Sequence, residues 1–246
     1  MQRDTIHRPS SHGRPVIPRG EVPCVWMSAG VLAFRLCDRG LDCTDCLLDR
    51  ALRNEAAAAP ARATGPHPTD LFYHPGHTWV RPLPDGRLEV GIDDLARRLA
   101  GVVREVRGPS AGTGVLADRP AFTVVSDTGE AVFVAPFTGV VSEVGAAVLR
   151  DPRLLALANY GEGFVYRAVP EDPARALTAL LSGAEARTHL AHEEIRVREL
   201  IEVAAASGRA GLTLADGGLL SEHSLAALPR EKAAIILTLL LGAKPA

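Results

Sequence analysis

Apolar and polar residues alternate in short runs through the middle of the chain, from Leu71 to about Leu190. The runs have strand length, and Gly, Pro and Asp residues typical of turns separate them. The seven runs cover residues 78–83, 87–91, 102–106, 121–126, 131–135, 139–144 and 163–169. Because each alternating strand buries one face, the pattern predicts a mainly β domain in which two antiparallel sheets pack together.

Helical spacing of apolar residues predicts two helices within this β region, at residues 93–100 and 173–182. The second begins with Asp172 followed by Pro173. This pair is typical of an N-cap and a first helical position. We therefore expect a helix directly after the last strand.

The last part of the chain is predicted to be mainly helical. An apolar stripe beyond Leu190 ends near Gly208, a hairpin is predicted at residues 215–218, and a final helix covers residues 230–241. Four side chains make that helix too apolar to face water all round: Ile235, Ile236, Leu239 and Leu240. They predict packing on the β core, which we favour, or a surface for homo-oligomer formation.

Composition divides the chain into five segments. Pro and Gly without an apolar period predict a flexible tail, and an Ala/Pro-rich stretch predicts a linker. The segments are a tail at 1–22, a four-cysteine module at 23–53, the linker at 54–69, the β domain at 70–189 and a helical C-terminal extension at 190–246.

Charge and hydropathy exclude several classes of protein. The 246 residues include 27 basic and 29 acidic side chains, so no net charge favours nucleic acid or an anionic membrane as a partner. The longest apolar run, at residues 233–241, is about half the length of a membrane span. Since the N-terminal residues lack the apolar core of a secretory signal, we expect a cytoplasmic protein.

All four cysteines lie in one short stretch, as Cys24, Cys37, Cys43 and Cys46. The two-residue gap between Cys43 and Cys46 is typical of a thiolate pair that binds a metal ion. Four thiolates suit zinc or an iron–sulfur cluster, although the full spacing matches neither common pattern. A metal would also stabilise a module of about thirty residues, which buries too little surface to fold alone.

Other interpretations of the cysteines remain open. Cys43 and Cys46 are also spaced as a redox-active pair, and disulfides or inert thiols are further alternatives. Without an export signal the thiols should stay reduced, which makes disulfides the less favoured of these.

Four segments of the β region resemble, in order, the motifs of the glycine cleavage H proteins, which are relatives of lipoyl domains. They are residues 73–81 (YHPGHTWVR), 90–103 (VGIDDLARRLAGVV), 134–141 (VAPFTGVV) and 151–164. The resemblance implies a barrel-sandwich fold of two antiparallel sheets, with a helix after the last strand. It therefore agrees with the fold that the alternation of apolar residues predicts.

The resemblance also implies a carrier function. Proteins of this family hold lipoate in amide linkage on a lysine at a hairpin tip and carry an aminomethyl group between enzymes. Counting back from Pro136, the attachment position in this chain is Thr128. Val125 stands where the family has an acidic residue, three places before the lysine.

No lysine can replace the missing one, because only Lys232 and Lys244 are lysines and none lies between Met1 and Glu231. A threonine hydroxyl is a poor nucleophile without an activating base, and it cannot form the amide. The sequence therefore predicts an H-protein-like fold that carries no lipoate.

These observations favour a non-catalytic adaptor protein with an unidentified protein partner. An iron–sulfur electron-transfer protein is the alternative, and an active lipoyl carrier is the third hypothesis. No phosphate-binding glycine loop, serine nucleophile elbow or HExxH motif indicates an enzyme. We expect His77 and Trp79 to share one face of a strand, with His77 in a structural role.

Overall fold

The computed structural model of the chain describes residues 17–44, 46–53, 68–206, 225 and 228–241. The chain divides into two compact units, one ending at Thr44 and one beginning at residue 45. The hairpin predicted at residues 215–218 lies outside the described residues, as do most of the predicted tail and linker.

The first unit contains one short helix, α1 (Val25–Ser28). An antiparallel bridge joins Pro23 to Leu36. This bridge places the segments that carry Cys24 and Cys37 side by side, because each cysteine directly follows a bridged residue.

The second unit has a short helix, α2 (Leu47–Leu52), followed by nine strands in the part of the chain that the structure describes. The strands are β1 (Phe72–His74), β2 (Thr78–Pro82), β3 (Leu88–Ile92), β4 (Val103–Arg107), β5 (Gly114–Val115), β6 (Pro120–Ser126), β7 (Glu130–Val134), β8 (Gly139–Val144) and β9 (Tyr166–Pro170).

Two antiparallel sheets contain these strands, and their strand orders are β1-β2-β3-β9-β8-β5 and β4-β6-β7. Apolar and aromatic side chains fill the core, and the rings of Phe122 and Phe133 stack with centroids 4.9 Å apart. The predicted fold class, two antiparallel sheets with helices, is therefore confirmed.

Six further helices of this unit lie within the described residues. They are α3 (Asp94–Ala100), α4 (Ala146–Arg150), α5 (Leu154–Leu157), α6 (Pro173–Thr178), α7 (Gly183–Ala206) and α8 (Arg230–Leu241). Helix α2 contacts α6. The Asp172 side chain accepts a hydrogen bond from the Arg175 N–H, so the predicted N-cap of α6 is confirmed. No helix within the described ranges is long and apolar enough to cross a membrane.

Some predicted boundaries are wrong. Helix α7 begins at Gly183, so the boundary placed between residues 189 and 190 cuts through a continuous helix. The last strand begins at Tyr166 rather than at residue 163, because Gly163 lies in a tight turn. A side chain there would come within 2.7 Å of the Leu154 carbonyl oxygen.

The final helix α8 has one apolar face that is buried and another that is exposed. Ile236 and Leu240 are buried, as expected for packing on the domain. Ile235 is 59% exposed and Leu239 is 54% exposed. Homo-oligomer formation through these two outward side chains stays a prediction.

Candidate functional site

The turn of the β6–β7 hairpin holds Thr128, the residue predicted from the sequence to stand at the family's attachment position. The last paired residues of the hairpin are Val125 and Glu130. The turn closes with a hydrogen bond from the Ser126 N–H to the Gly129 carbonyl oxygen, at 2.9 Å. Gly129 has a φ of 141°, a conformation that favours glycine. The local sequence therefore dictates a tight turn.

Thr128 points into the protein and is only 5% exposed. Its Oγ1 donates a hydrogen bond to the Ala100 carbonyl oxygen at 2.9 Å and lies 2.8 Å from Ser126 Oγ. Ala100 is the last residue of α3, where helix carbonyl groups lack partners within the helix. The hydroxyl therefore satisfies a helix terminus instead of facing solvent.

Asp127 ties the same turn to the segment that follows α3. Its Oδ1 accepts a hydrogen bond from the Val102 N–H at 2.9 Å, and its own N–H donates to the Val102 carbonyl oxygen at 3.2 Å. The sequence analysis missed this role of Asp127, since the partner lies 25 positions away.

The residues at this turn do not fit lipoate. Attachment needs an amine, and position 128 offers a buried hydroxyl that is already engaged. Lys232, the single lysine within the described ranges, donates from Nζ to the Ala204 carbonyl oxygen at 2.7 Å. Lys232 therefore binds the last turn of α7 and does not replace the missing attachment residue.

A second polar cluster surrounds His77, which is 1% exposed. Its Nδ1 donates to Asp93 Oδ2 at 2.9 Å, while Asp93 Oδ1 caps α3 by accepting the Ala96 N–H. His77 Nε2 lies 4.0 Å from Glu193 Oε2 of α7. Burial lowers the pKa of His77, but the two carboxylates outweigh it and raise the pKa above its usual value.

The expected position of His77 on a strand is wrong. The residue precedes β2 and has a φ of 62°, so it lies in a turn while Trp79 lies in the strand. Its partner Asp93 was not predicted from the sequence, although an aspartate directly before a helix is a typical N-cap signal. Because His77 is buried and bonded to the carboxylate that caps α3, the cluster joins the turn before β2 to α3 and α7.

The four predicted metal ligands are divided between the two units. Cys24, Cys37 and Cys43 belong to the first unit and Cys46 to the second, and none of the four described cysteines forms a disulfide. Cys37 Sγ accepts a hydrogen bond from the Leu41 N–H at 3.2 Å. Across the described part of the chain, no three His, Cys, Asp or Glu side chains are arranged to hold a metal ion.

Comparisons with known proteins agree with the fold. The family model described as "Glycine cleavage H-protein" matches residues 71–193. The glycine cleavage system H protein of Psychrobacter sp. (strain PRwf-1) is 35% identical over 123 residues, which cover 50% of this chain and 97% of that protein.

Two further comparisons give similar results. The glycine cleavage system H protein of Halorhodospira halophila (strain DSM 244 / SL1) is 32% identical over 126 residues, covering 51% of this chain and 96% of the relative. A crystal structure of a glycine cleavage system H protein from Mycobacterium marinum has 30% sequence identity and a TM-score of 0.45, and the match covers 48% of this chain and 94% of that one.

Proposed function

Because the chain belongs to the glycine cleavage H-protein family, we propose that it is a member without lipoate that acts as an adaptor in the cytoplasm. The observation that carries this proposal is the state of position 128. A buried threonine hydroxyl donates there to the Ala100 carbonyl oxygen, and no amine is present. In such a protein, function depends on the surface rather than on a tethered group.

Exposed apolar side chains beside the hairpin support a binding role. Val102, whose backbone N–H donates a hydrogen bond to Asp127, is 51% exposed, and Leu157 is 77% exposed. Both line a mainly apolar cavity of about 400 Å³. Apolar patches rimmed by polar residues mark many protein-binding sites, and Arg97, Arg98 and Arg153 supply such a rim here. We propose that the partner contacts this surface.

Lipoylation of the complete protein tests the proposal. The chain is coexpressed with a lipoyl ligase and lipoate, and its intact mass is measured beside a family member that has the hairpin lysine. We expect the family member alone to gain the lipoyl mass. A lipoyl group on any residue between Phe122 and Phe133 would contradict the proposal.

A competition assay tests the adaptor role. If the partner is an enzyme of the glycine cleavage system, the chain should inhibit glycine decarboxylation that depends on a lipoylated family member. Leu157→Asp should weaken this inhibition, whereas Leu116→Asp, at another exposed apolar position, should not. Absence of inhibition would rule out those enzymes as partners.

We also propose that Cys24, Cys37, Cys43 and Cys46 bind zinc or an iron–sulfur cluster. The hydrogen bond from the Leu41 N–H to Cys37 Sγ supports this proposal, because such outer bonds orient a sulfur ligand. Metal binding would also order the module, because the free energy of coordination contributes to folding. Reduced thiols are also consistent with the proposed cytoplasmic location.

Metal analysis of protein purified without oxygen tests the cysteine proposal. We expect one zinc ion, or an iron–sulfur cluster, per chain, and loss of the metal when Cys43 and Cys46 are both changed to Ser. Visible absorbance that bleaches with dithionite would identify a cluster and favour electron transfer. Equal metal content in the double variant would contradict the proposal.

A further inference from the structure

The C-terminal helix α8 lies against the hairpin that carries Thr128. It contacts β7, α3 and the preceding helix α7. One face of α8 is almost completely buried, with side chains between 2% and 6% exposed: Ala233, Ile236, Leu237 and Leu240. This buried face fixes the helix on the domain, since burial of several aliphatic side chains is strongly favourable.

Leu237 of α8 stands beside the hairpin turn. A methyl group built on Gly129 would lie 3.8 Å from Leu237 Cδ1, so α8 bounds the space next to this glycine. Arg230 and Ala234 of α8 line one cavity of about 360 Å³ together with the turn, and the turn residues in it are Ser126, Asp127, Thr128 and Gly129. The first two turns of α8 therefore stand beside the attachment position.

The helix is also held from its other side. Lys232 Nζ donates to the Ala204 carbonyl oxygen in the last turn of α7, at 2.7 Å. Helix α7 is in turn joined to α3 by the ion pair between Glu194 and Arg98, at 2.7 Å. The hairpin turn is thus enclosed by the end of α3, which accepts the Thr128 hydrogen bond, and by α8.

We infer that α8 is a built-in cover of the hairpin turn, which occupies the surface that a modifying or acceptor enzyme would have to reach. An enzyme that acts on a side chain at position 128 must surround that side chain, and α8 takes up part of that space. This inference deepens the proposed function, on which it rests: the attachment position has lost its amine and has also been closed by another part of the chain.

Cysteine labelling of the full chain measures this cover directly. Thr128→Cys introduces a thiol close to threonine in size, and reaction with a maleimide is followed by peptide-resolved mass spectrometry, which separates it from the native cysteines. We expect the new thiol to react slowly. Adding Leu237→Asp should accelerate the reaction about tenfold or more, because the charge undocks the helix face that touches the turn.

A matched control uses the opposite face of the same helix. Ile235 is 59% exposed, so Ile235→Asp should leave the labelling rate of the new thiol unchanged. Circular dichroism checks that each variant keeps the β fold, and Leu237→Ala provides a milder substitution that should give a smaller acceleration in the same direction.

Two results would overturn the inference. One is rapid labelling of Thr128→Cys in an otherwise unchanged chain. The other is labelling that stays equally slow with Leu237→Asp and with Leu237→Ala, which would mean that α3 alone shields the turn. Neither result depends on lipoylation, so failure of the cover and failure of the proposed function are distinguished by separate measurements.

Discussion

Thr128 Oγ1 lies 2.9 Å from the carbonyl oxygen of Ala100, so the hairpin turn of the smaller sheet is hydrogen-bonded to the C-terminal end of α3. The two residues are 28 positions apart in the chain. A position that carries a mobile group in related proteins is therefore a tertiary contact here. The contact explains why a hydroxyl side chain suits this position, because valine, which has a similar shape, could not donate the bond.

Removing the hydroxyl tests this contact. Thr128→Val keeps the shape of the side chain but leaves the Ala100 carbonyl without its side-chain partner. We expect the free energy of unfolding to fall by about 1–2 kcal/mol, the cost of a broken buried hydrogen bond. Urea unfolding followed by circular dichroism measures it.

A threonine on α8 provides the control for that measurement. Thr238 Oγ1 donates to the Ala234 carbonyl oxygen within its own helix, and this bond is exposed. Thr238→Val should therefore change the unfolding free energy much less. An equal decrease in unfolding free energy for the two variants would show that the hydrogen bond between Thr128 and Ala100 contributes no more to stability than the exposed bond of Thr238.

The packing of Trp79 on Gly91 gives a second prediction. These residues face each other across β2 and β3, and a methyl group on Gly91 would lie 2.5 Å from the indole ring. Because Trp79 is completely buried, the ring has no free space to enter. Gly91→Ala should lower the unfolding free energy by about 3 kcal/mol, at the upper end of overpacking costs.

Gly114 of β5 is the matched control, because a methyl group there meets nothing within 4 Å and its φ is not in the left-handed region. Thermal unfolding should show a clear decrease in Tm for Gly91→Ala and little change for Gly114→Ala. A similar Tm for the two variants would contradict the steric argument.

The alternation of apolar residues was enough to predict most of the strands, because strands such as β7 bury every second residue, here Ala131 and Phe133. Residues 139–144 match β8 at both ends. Strand β5 was missed because two residues are too few to show a period of two. The start of α7 was missed because Gly183 and the exposed residues after it carry little of the apolar stripe that begins near Leu190.

The spacing to Pro136 predicts Thr128 at the family's attachment position, but the sequence does not predict what surrounds Thr128. Its burial depends on Ala100 and on α8, more than one hundred positions further along the chain. A local sequence pattern does not indicate contacts between residues so far apart in the chain. The pairing of His77 with Asp93 was missed for the same reason, although it spans only 16 positions.

A buried carboxylate in the larger sheet gives a third prediction. Glu89 is 3% exposed and forms ion pairs with Arg81 at 2.8 Å and with Arg167 at 2.7 Å. Glu89→Gln removes the charge between two guanidinium groups that are themselves partly exposed. We expect a loss of about 1–3 kcal/mol in unfolding free energy, below the cost of breaking a fully buried pair.

The surface pair of Glu105 and Arg107 is the control for Glu89, since both of its side chains are more than half exposed. Glu105→Gln should leave urea unfolding unchanged within experimental error. A loss for Glu105→Gln as large as that for Glu89→Gln would show that burial does not set the strength of these ion pairs.

The buried histidine predicts a pH dependence of stability. Burial opposes a charge on His77, but Asp93 and Glu193 outweigh burial and Arg196, so its pKa in the folded protein lies above the usual 6.5. The folded state therefore holds the proton more tightly than the unfolded state. The stabilisation is complete below pH 6.5 and disappears as the pH rises through the higher folded pKa.

Comparison with His77→Asn isolates this contribution. Asparagine tolerates the left-handed backbone of position 77 and does not titrate. The stability difference between the native chain and His77→Asn, from urea unfolding at several pH values, should shrink as the pH rises above 6.5. Thr238→Val, which removes no titratable group, should show no such trend. A difference that grows with pH would mean that His77 is buried in its neutral form, and NMR titration of the ring would show the same reversal directly.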